Sequence, residues 1–444
     1  MVPKSKKSDE ENKVKEVQMT FSQSNTVKEN TKEASKDSSK EYNKDASKQM
    51  NSSDKDKKSM MKDIKVNSPN SVVNASNAER KALAGRSGTP REELVNLGKS
   101  VVADIKAGDN PKIELSVRGL SNVVYDRESK TLGLGDKTAQ RFFFNAAHSK
   151  KFLQTIEVAS ICKNLLDVQK HASLRDVFYM AKRTIPNTKI NIVDEQKESD
   201  KVIEDLELIT GFSRENLNVN ANKMGSVAGK VVIEDSGDTI DWSKLGSGGW
   251  SIPSNVENIK FKKVDAKYVI YMEKAAVWER LHEDRFWEKQ NCIIMSSQGQ
   301  TTRGIRRLLQ RLSKEHHLPI LVLTDGDIYG FYIYSVVKFG SIALAHMADE
   351  MAIPDVKFLG VTMDDIVKYD LKRHFIKLTD QDRSRIKQMQ NYEWFEKHKD
   401  WQRQFKMMKD FDAKVEIQSL SSKGISFISE KYLPEKIKNK EWLD

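Results

Sequence analysis

Three acidic residues stand where two apolar runs of the sequence end, and their spacing suits metal-assisted chemistry. Glu273 directly follows YVIYM, while Asp325 and Asp327 directly follow PILVLT. If both runs are strands of one parallel sheet, the acids emerge at the same carboxyl edge, where open sheets bind ligands. Carboxylate oxygens are ligands that Mg²⁺ prefers, and Mg²⁺ commonly bridges to phosphate. The pattern predicts a magnesium site, although a DxD by itself is more often only a turn.

A tyrosine and an arginine four residues apart offer a second kind of chemistry. Arg175 and Tyr179 lie in SLRDVFYMAKR and share one face of a predicted helix. A tyrosine hydroxyl, whose ordinary pKa is about 10, needs an adjacent cation or a metal to act as a nucleophile. A tyrosine that only packs is the commoner outcome, and spacing does not decide between the two. His148 and His171 are candidates for its general base only because they lie nearby in the sequence.

A group of arginines follows a loop at the end of a third apolar run. CIIMS leads into SQGQTTRGIRRLLQR, in which Gly299 permits a tight turn before a predicted helix. The free N–H groups at a helix start attract anions. Arg303, Arg306 and Arg307 are therefore expected to contact the phosphates of DNA. The alternative is a solvated helix face.

The elements that must position the acids are strands and helices in alternation. From residue 266 onward, three short apolar runs are each followed by an amphipathic or apolar helix. Successive strand–helix units of this kind predict a parallel sheet with helices on its faces. The second half of the chain is therefore expected to be an α/β domain.

The elements around the tyrosine follow a different pattern. Amphipathic helices are predicted over 152–168, over 173–184, where Ser173 can cap the helix, and over 195–211. Strands are predicted at 113–117 and at 226–233. Helix, short turn and helix, flanked by strands, indicates a winged-helix module that binds DNA.

The composition of the 444 residues indicates the class of partner and the domain boundaries. The net charge is +11 and stays positive when the first 70 residues are left out, which favours an anionic partner such as nucleic acid. No apolar run reaches the roughly 18–20 residues of a membrane helix, and two distant cysteines do not form a disulfide framework. We predict a disordered Lys/Ser-rich tail over 1–80, a winged-helix domain over 81–235, a Gly/Ser-rich linker over 236–260, and a metal-binding domain with a C-terminal extension over 261–444.

At this point the motifs carry a family likeness. MEKAAVWERL and ILVLTDGDIYGFYIYSVVKFGS resemble the Toprim domain of topoisomerase VI A subunits and of their relative, the meiotic double-strand-break nuclease. LRDVFYMAKR resembles the catalytic-tyrosine motif of that family, and EQKESDKVIEDLE its following helix. The likeness covers about residues 85–435. It implies an α/β and α+β multidomain fold, with a CAP-like winged helix followed by a Toprim domain.

The resemblance also implies a function for each candidate residue. Tyr179 takes the place of the nucleophile and Arg175 that of the basic residue one turn earlier, while Glu273, Asp325 and Asp327 take the Mg²⁺ positions. The family's enzymes are type II topoisomerases, in which a tyrosine forms a 5′-phosphotyrosyl bond with double-stranded DNA. They work as homodimers, with a separate ATPase B subunit in an A2B2 heterotetramer. A cytoplasmic, nucleoid-associated and archaeal protein is expected, without a membrane partner.

Two departures and three alternatives remain at the sequence level. Thr301 and Ile328 stand where the family usually has proline, which changes the stiffness of the loops near the acids but removes no reacting group. The nearest alternative function is a meiotic-type nuclease that cuts without routine resealing. The others are a DNA-binding protein that has lost cleavage, and a Toprim nuclease or primase that forms no covalent adduct. No nucleotide-binding motif is present, so ATP dependence would come from a partner chain.

Overall fold

The computed structural model describes residues 88–299 and 301–444. The tail predicted over 1–80 lies outside these described residues. Within the described part, helices alternate with strands along most of the chain. The predicted mixed α/β class is confirmed.

Four helices surround the first hydrophobic core. They are α1 (Pro90–Ala107), α2 (Ala146–Asp167), α3 (Leu174–Ala181) and α4 (Gln196–Thr210). The three helices predicted from periodicity correspond to α2, α3 and α4, although α3 ends three residues earlier than expected. Their apolar faces meet in one buried cluster to which all four contribute. This cluster fixes α3, the helix of the candidate tyrosine, against its neighbours.

Capping boxes define where two of these helices begin. Thr89 and Glu92 form a capping box at the start of α1, and Ser173 and Asp176 form another at the start of α3. Such reciprocal hydrogen bonds satisfy backbone N–H groups that the first helical turn leaves free. The start of α3 is therefore set by its own sequence.

Six short strands accompany these helices. They are β1 (Lys112–Ser116), β2 (Val123–Asp126), β3 (Thr131–Leu134), β4 (Thr138–Phe142), β5 (Ala172–Ser173) and β6 (Val219–Asn220). β1 pairs with β4 and β2 with β3, both antiparallel, whereas β5 and β6 pair in parallel. The strand predicted at 113–117 is thus confirmed. Its expected companion at 226–233 pairs elsewhere, so the prediction that this stretch flanks the tyrosine helices is wrong.

The following segment is built into sheets of its own. It contains β7 (Ser226–Ala228), β8 (Val231–Asp235), β9 (Asp238–Asp241), β10 (Trp250–Ser251) and β11 (Lys260–Val264). β8 lies between β9 and β11 in an antiparallel sheet, while β7 pairs with β10.

A free linker over 236–260 is therefore not what the structure contains. The buried ring of Trp242 stacks on Trp250 with 5.4 Å between ring centroids. Glycine and serine in this stretch serve tight turns between short strands, so composition alone indicated a loop where tertiary pairing makes a sheet.

The largest sheet confirms the predicted parallel arrangement. Its parallel strands are β12 (Val269–Met272), β13 (Ile293–Ser296), β14 (Ile320–Leu323) and β15 (Lys357–Gly360), in the order β13-β12-β14-β15. β7 extends the sheet antiparallel to β13, and β10 lies at that edge. All residues of β12, β13 and β14 are buried, as expected for strands covered on both faces.

Helices cover this sheet and continue into the C-terminal extension. They are α5 (Ala275–Glu283), α6 (Phe286–Lys289), α7 (Arg303–His316), α8 (Ile328–Phe339), α9 (Ala348–Met351), α10 (Met363–Lys368), α11 (Asp380–Gln390), α12 (Glu393–Glu396), α13 (Lys399–Phe411) and α14 (Leu433–Asn439). β16 (Ile376–Lys377) and β17 (Ala413–Lys414) form a short antiparallel pair, and the chain after β17 leads toward the acidic edge of the sheet. One backbone bridge then joins Gly326 to Val415.

One stretch has the length and apolar character of a membrane helix. Residues 328–351 include α8 and reach a mean hydropathy of 1.4, with 61% of that window buried inside the protein. Gly340 interrupts the α-helical run, and α8 packs its apolar residues into the large core. This burial is what the core helix of a folded domain shows.

Candidate active site

The candidate tyrosine lies on an exposed face of a short, well-anchored helix. Val177 and Phe178 of α3 are buried, whereas the Tyr179 side chain is 57% exposed. The Arg175 guanidinium carbon lies 5.8 Å from the centroid of the Tyr179 ring, so the pair shares one face as predicted. Burial on one side and a capping box at the start hold α3, and with it the direction in which Tyr179 projects.

The three candidate acids meet at one edge of the parallel sheet. β12 and β14 are neighbours in register, with Met272 opposite Leu323. Glu273 follows β12 directly, and Asp325 and Asp327 come two and four residues after β14 ends. The carboxyl ends of two adjacent parallel strands thus bring together residues that are about 50 positions apart in the sequence.

The charges of these acids perturb one another. Burial, and after it the neighbouring carboxylates of Asp325 and Asp327, raise the pKa of Glu273 to about 7. Burial also raises the pKa of Asp327 to about 6, with a hydrogen bond from Gly330 acting against the shift. The negative charge of Asp325 thus disfavours the charged forms of both Glu273 and Asp327, because like charges in a partly buried place repel.

Two of the acids are already held by the protein. The Asp327 carboxylate accepts from Gly330 N–H at 2.6 Å and so caps the start of α8. One oxygen of Asp325 accepts from Ile417 N–H at 2.8 Å, and its other oxygen lies 2.8 Å from Lys274 Nζ. Among the described residues, the Glu273 carboxylate has no hydrogen-bond partner.

The chemistry of this donor set fits a divalent cation. Among the described residues there is no ready-made cluster of three or more acids, histidines or cysteines in metal-binding geometry. However, the charge of Asp325 disfavours the charged forms of Glu273 and Asp327, and a hard cation is the partner that would relieve this repulsion. Carboxylate oxygens are also the ligands that Mg²⁺ prefers.

Among the described residues, no contact joins Tyr179 to the three acids. The Tyr179 hydroxyl has no hydrogen-bond partner there, and the Tyr179 ring lies against the Phe178 ring and the Arg175 guanidinium of its own helix. His148 and His171, the candidate bases, do not contact it either: His148 Nδ1 accepts from Phe142 N–H at 3.4 Å.

Comparison with known proteins agrees with this division of the chain. The model of the type IIB DNA topoisomerase family matches residues 150–219, that of the all-beta domain in DNA topoisomerase VI alpha subunits matches 223–265, and that of the Toprim domain of topoisomerase 6 A subunits and Spo11 matches 268–437. The A subunit of type 2 DNA topoisomerase 6 from Pyrococcus abyssi is 43% identical over 357 residues, which cover 78% of this chain and 93% of that protein.

The same likeness extends to more distant organisms. The corresponding A subunit from Methanocaldococcus jannaschii is 37% identical, with 80% of this chain and 96% of that protein covered. The A subunit of DNA topoisomerase 6 from Arabidopsis thaliana is 33% identical, with 79% and 81% covered. The chain belongs to the family of topoisomerase VI A subunits.

Membership in this family confirms the functional class predicted from the motifs. Its members are the DNA-cleaving subunits of ATP-dependent type II topoisomerases, which are isomerases. The match to proteins named as topoisomerase subunits favours this function over the meiotic nuclease, and over a DNA-binding protein that has lost cleavage.

Of the three arginines predicted to contact DNA, two are buried and the third is bound to an acidic residue. Arg303 is 7% exposed and forms a bidentate ion pair with Glu207 of α4, and Arg306 is 2% exposed. Arg307 binds Glu257 through two nitrogens, at 2.6 and 2.9 Å. These side chains form contacts within the protein. The structure therefore does not support the prediction that they contact the phosphates of DNA.

Arg306 is the most constrained of these three residues. Burial, and after it the charge of Arg303, lowers its pKa to about 10. Two of its guanidinium nitrogens, Nε and Nη2, have no hydrogen-bond partner among the described residues. We have no physical account of this buried, partly unsatisfied cation.

The sequence prediction missed two groups at the acidic edge. Lys274 contacts Asp325, and the segment around Ile417 supplies a backbone N–H to the same carboxylate. Lys274 directly follows Glu273, so its position beside a predicted ligand was a usable signal. No sequence pattern indicated that the segment near Ile417 binds Asp325. The two lie 92 residues apart, and the contact is made by a backbone N–H that every residue type except proline has.

Proposed function

We propose that Tyr179 is the nucleophile with which this chain cuts DNA, and that Glu273, Asp325 and Asp327 hold the Mg²⁺ that assists cleavage. The observation that carries this proposal is the meeting of three carboxylates at the ends of β12 and β14, where the charge of Asp325 disfavours the charged forms of Glu273 and Asp327. A structural role alone gives no reason to gather like charges at a partly buried edge.

The residues of the chain divide the work of phosphoryl transfer. The Tyr179 oxygen attacks a backbone phosphorus in line, its proton passes to water, and the bond from phosphorus to the 3′-oxygen breaks. The 3′-oxygen gains a proton, and the 5′ end stays attached to Tyr179. The Arg175 guanidinium beside the ring stabilises negative charge on the phosphate. Bound to the acids, Mg²⁺ would neutralise charge on the phosphate and on the leaving oxygen.

We propose that the complete site forms between two copies of the chain. Tyr179 projects from an exposed helix face and makes no contact with the acids among the described residues. A homodimer in which each tyrosine meets the acids of the other copy would cut both strands of a duplex. Resealing coupled to strand passage would then need an ATPase B subunit in an A2B2 assembly, because the chain carries no nucleotide-binding motif.

The domain division and the setting of the protein are part of the same proposal. We place the boundary of the tyrosine domain near residue 220, followed by a β-rich segment to about 265 and then by the metal-binding domain. We also propose a cytoplasmic, nucleoid-associated protein of an archaeon, since the relatives of highest identity named above come from such organisms.

Trapping of the covalent intermediate tests the nucleophile. The chain is mixed with a B subunit, supercoiled DNA, Mg²⁺ and ATP, and the reaction is stopped with denaturant. We expect protein attached to 5′ DNA ends, and no adduct with Tyr179→Phe. The matched control is Tyr332→Phe, which also loses one hydroxyl but keeps the ring against Arg385. DNA ends free of protein, or adducts that persist in Tyr179→Phe, would overturn the assignment.

Mixed dimers test whether the site forms between chains. Tyr179→Phe and Asp325→Ala are each expected to be inactive alone. When the two variants are mixed, a shared site gives one intact tyrosine opposite one intact set of acids, and cleavage of a single strand returns. If the tyrosine and the acids work within one chain, every site keeps a defect and the mixture stays inactive.

A further inference from the structure

Lys274 occupies an unusual position beside the acidic edge. It directly follows Glu273, and its Nζ lies 2.8 Å from Asp325, 3.3 Å from Glu416 and 2.6 Å from the amide oxygen of Gln418. Its side chain is 24% exposed, whereas that of Asp325 is 11% exposed. The ammonium group therefore lies at the border between the acids and the segment 416–418.

The contacts of Asp325 show which charge the ammonium of Lys274 neutralises. One carboxylate oxygen accepts from Ile417 N–H, and the other is neutralised by Lys274. The charge on the Lys274-facing oxygen is therefore already matched by the ammonium, whereas the oxygen that accepts from Ile417 N–H keeps a second lone pair. Binding of Mg²⁺ through the Lys274-facing oxygen requires that the ammonium withdraw, because two cations cannot share that position.

The segment 416–418 provides the place to which the ammonium can withdraw. Glu416 and Gln418 already contact Nζ, and both lie on the solvent side of the site, where their residues are exposed. The flexible four-carbon stem of lysine lets its charge move without a change in the backbone. The backbone bridge between Gly326 and Val415 holds this segment beside the acids.

We propose that Lys274 is a resident cation that stands in for the metal at Asp325 and withdraws onto Glu416 and Gln418 when Mg²⁺ binds. This inference rests on the proposed metal site. It gives Lys274 and Gln418 a role in setting metal affinity, as positioning residues that need not touch DNA. In the metal-free chain, the same lysine lowers the repulsion among the three acids.

Metal binding measured by calorimetry, with Mn²⁺ as the probe, tests the competition. We expect Lys274→Met to bind the ion on the order of tenfold more tightly, which lies within the usual range of coupling between two sites. This increase would also follow from a simple loss of positive charge. A second variant that leaves the net charge unchanged is therefore needed.

Gln418→Met is that variant, because it removes a neutral acceptor of similar length from an exposed position. In the otherwise native chain it should weaken Mn²⁺ binding by roughly fivefold. Without Gln418, an ammonium that has left Asp325 keeps Glu416 as its one partner, whereas an ammonium still on Asp325 keeps two carboxylates. In the Lys274→Met background it should have no effect. An equal effect of Gln418→Met with and without Lys274, or no effect in either, would overturn the proposal.

Thermal unfolding in the presence of a chelator gives a readout that is independent of cleavage. Lys274→Met should lower the Tm of the metal-free chain, and saturating Mg²⁺ should raise its Tm by more than it raises that of the native chain. Equal metal-induced shifts would refute the stand-in role. If Asp325→Ala binds Mn²⁺ as tightly as the native chain, the proposed metal site is wrong. If Asp325→Ala weakens Mn²⁺ binding and Lys274→Met leaves it unchanged, the metal site is supported and only the proposal for Lys274 is wrong.

Discussion

The ion pair between Glu207 and Arg303 offers the sharpest test of how the tyrosine region is held to the metal-binding region. Glu207 belongs to α4 and Arg303 to the first turn of α7, and their side chains are 1% and 8% exposed. Two guanidinium nitrogens bind the two carboxylate oxygens, and Glu207 also accepts from Arg214 N–H at 2.7 Å. We expect Glu207→Gln to leave a buried guanidinium without its counter-charge.

The size of the loss follows from this burial. Removal of one partner of a buried pair typically costs about 3–5 kcal/mol, because the remaining charge is neither solvated nor paired. The entropy of unfolding is about 2.1 cal/mol/K per residue, so for the roughly 360 described residues the expected drop in Tm is about 4–7 °C. Replacement of both residues by methionine should recover most of the loss, because no unpaired charge then remains.

Thermal and urea unfolding of the native chain, of Glu207→Gln and of the double methionine variant measure the effect. The matched control is Arg183→Met, which breaks an ion pair with Glu157 in which the arginine side chain is 62% exposed. Exposed pairs contribute only about 0–1 kcal/mol, so this variant should stay near the native Tm. A Glu207→Gln protein as stable as the Arg183→Met control, or a double methionine variant no more stable than Glu207→Gln, would refute the reasoning.

Three further predictions follow from the site and its surroundings. Asp325→Asn should abolish Mg²⁺-dependent DNA adducts while the circular dichroism spectrum stays native, and unchanged adduct yield would remove Asp325 from the ligand set. Ser173→Ala, which removes the cap of α3, should lower the free energy of unfolding in urea by about 1 kcal/mol. The control is Ser149→Ala, because the Ser149 hydroxyl donates to the Ala146 carbonyl and caps no helix. A loss for Ser173→Ala smaller than that for the control would contradict this. Burial, and after it the charges of Arg303 and Arg118, lowers the pKa of His346 to about 4. In the unfolded chain the pKa of histidine is near 6.5, so the unfolded state binds a proton first as the pH falls. The free energy of unfolding is therefore unaffected by His346 above about pH 6.5 and decreases as the pH falls toward 4. His346→Gln should flatten the acid limb of a plot of Tm against pH, and an unchanged limb would exclude His346 as its cause.

The acidic edge could be predicted because its determinants are local. Glu273 and Asp325 each follow a short apolar run, and the geometry of parallel strands carries the ends of such runs to one edge. The start of α3 was equally readable, since Ser173 and Asp176 form a capping box within four residues. Wherever a short stretch determines its own conformation, sequence reasoning reached the observed structure.

The errors arose where a distant partner decides the outcome. Arg303 follows a loop on a basic helix and was expected to face DNA, but its partner Glu207 lies 96 residues away and draws it into the interior. The stretch 236–260 has the composition of a linker, yet Trp242 and Trp250 stack within it and its strands pair with β7 and β8. No local pattern states which remote residue will pair with which, so these features required the structure.

The contrast between the tyrosine and the acids bears on how cleavage is controlled. Tyr179 is exposed on a rigid helix, whereas the acids are partly buried and partly neutralised by Lys274 and backbone N–H groups. On the proposed roles, a single chain presents its nucleophile and its metal site apart, since no contact joins Tyr179 to the acids among the described residues. Cutting DNA would then require a second chain and a divalent ion together, which guards against breaks made by an unassembled chain. The mixed-dimer experiment decides this point, because single-strand cleavage returns only if the two halves meet across chains.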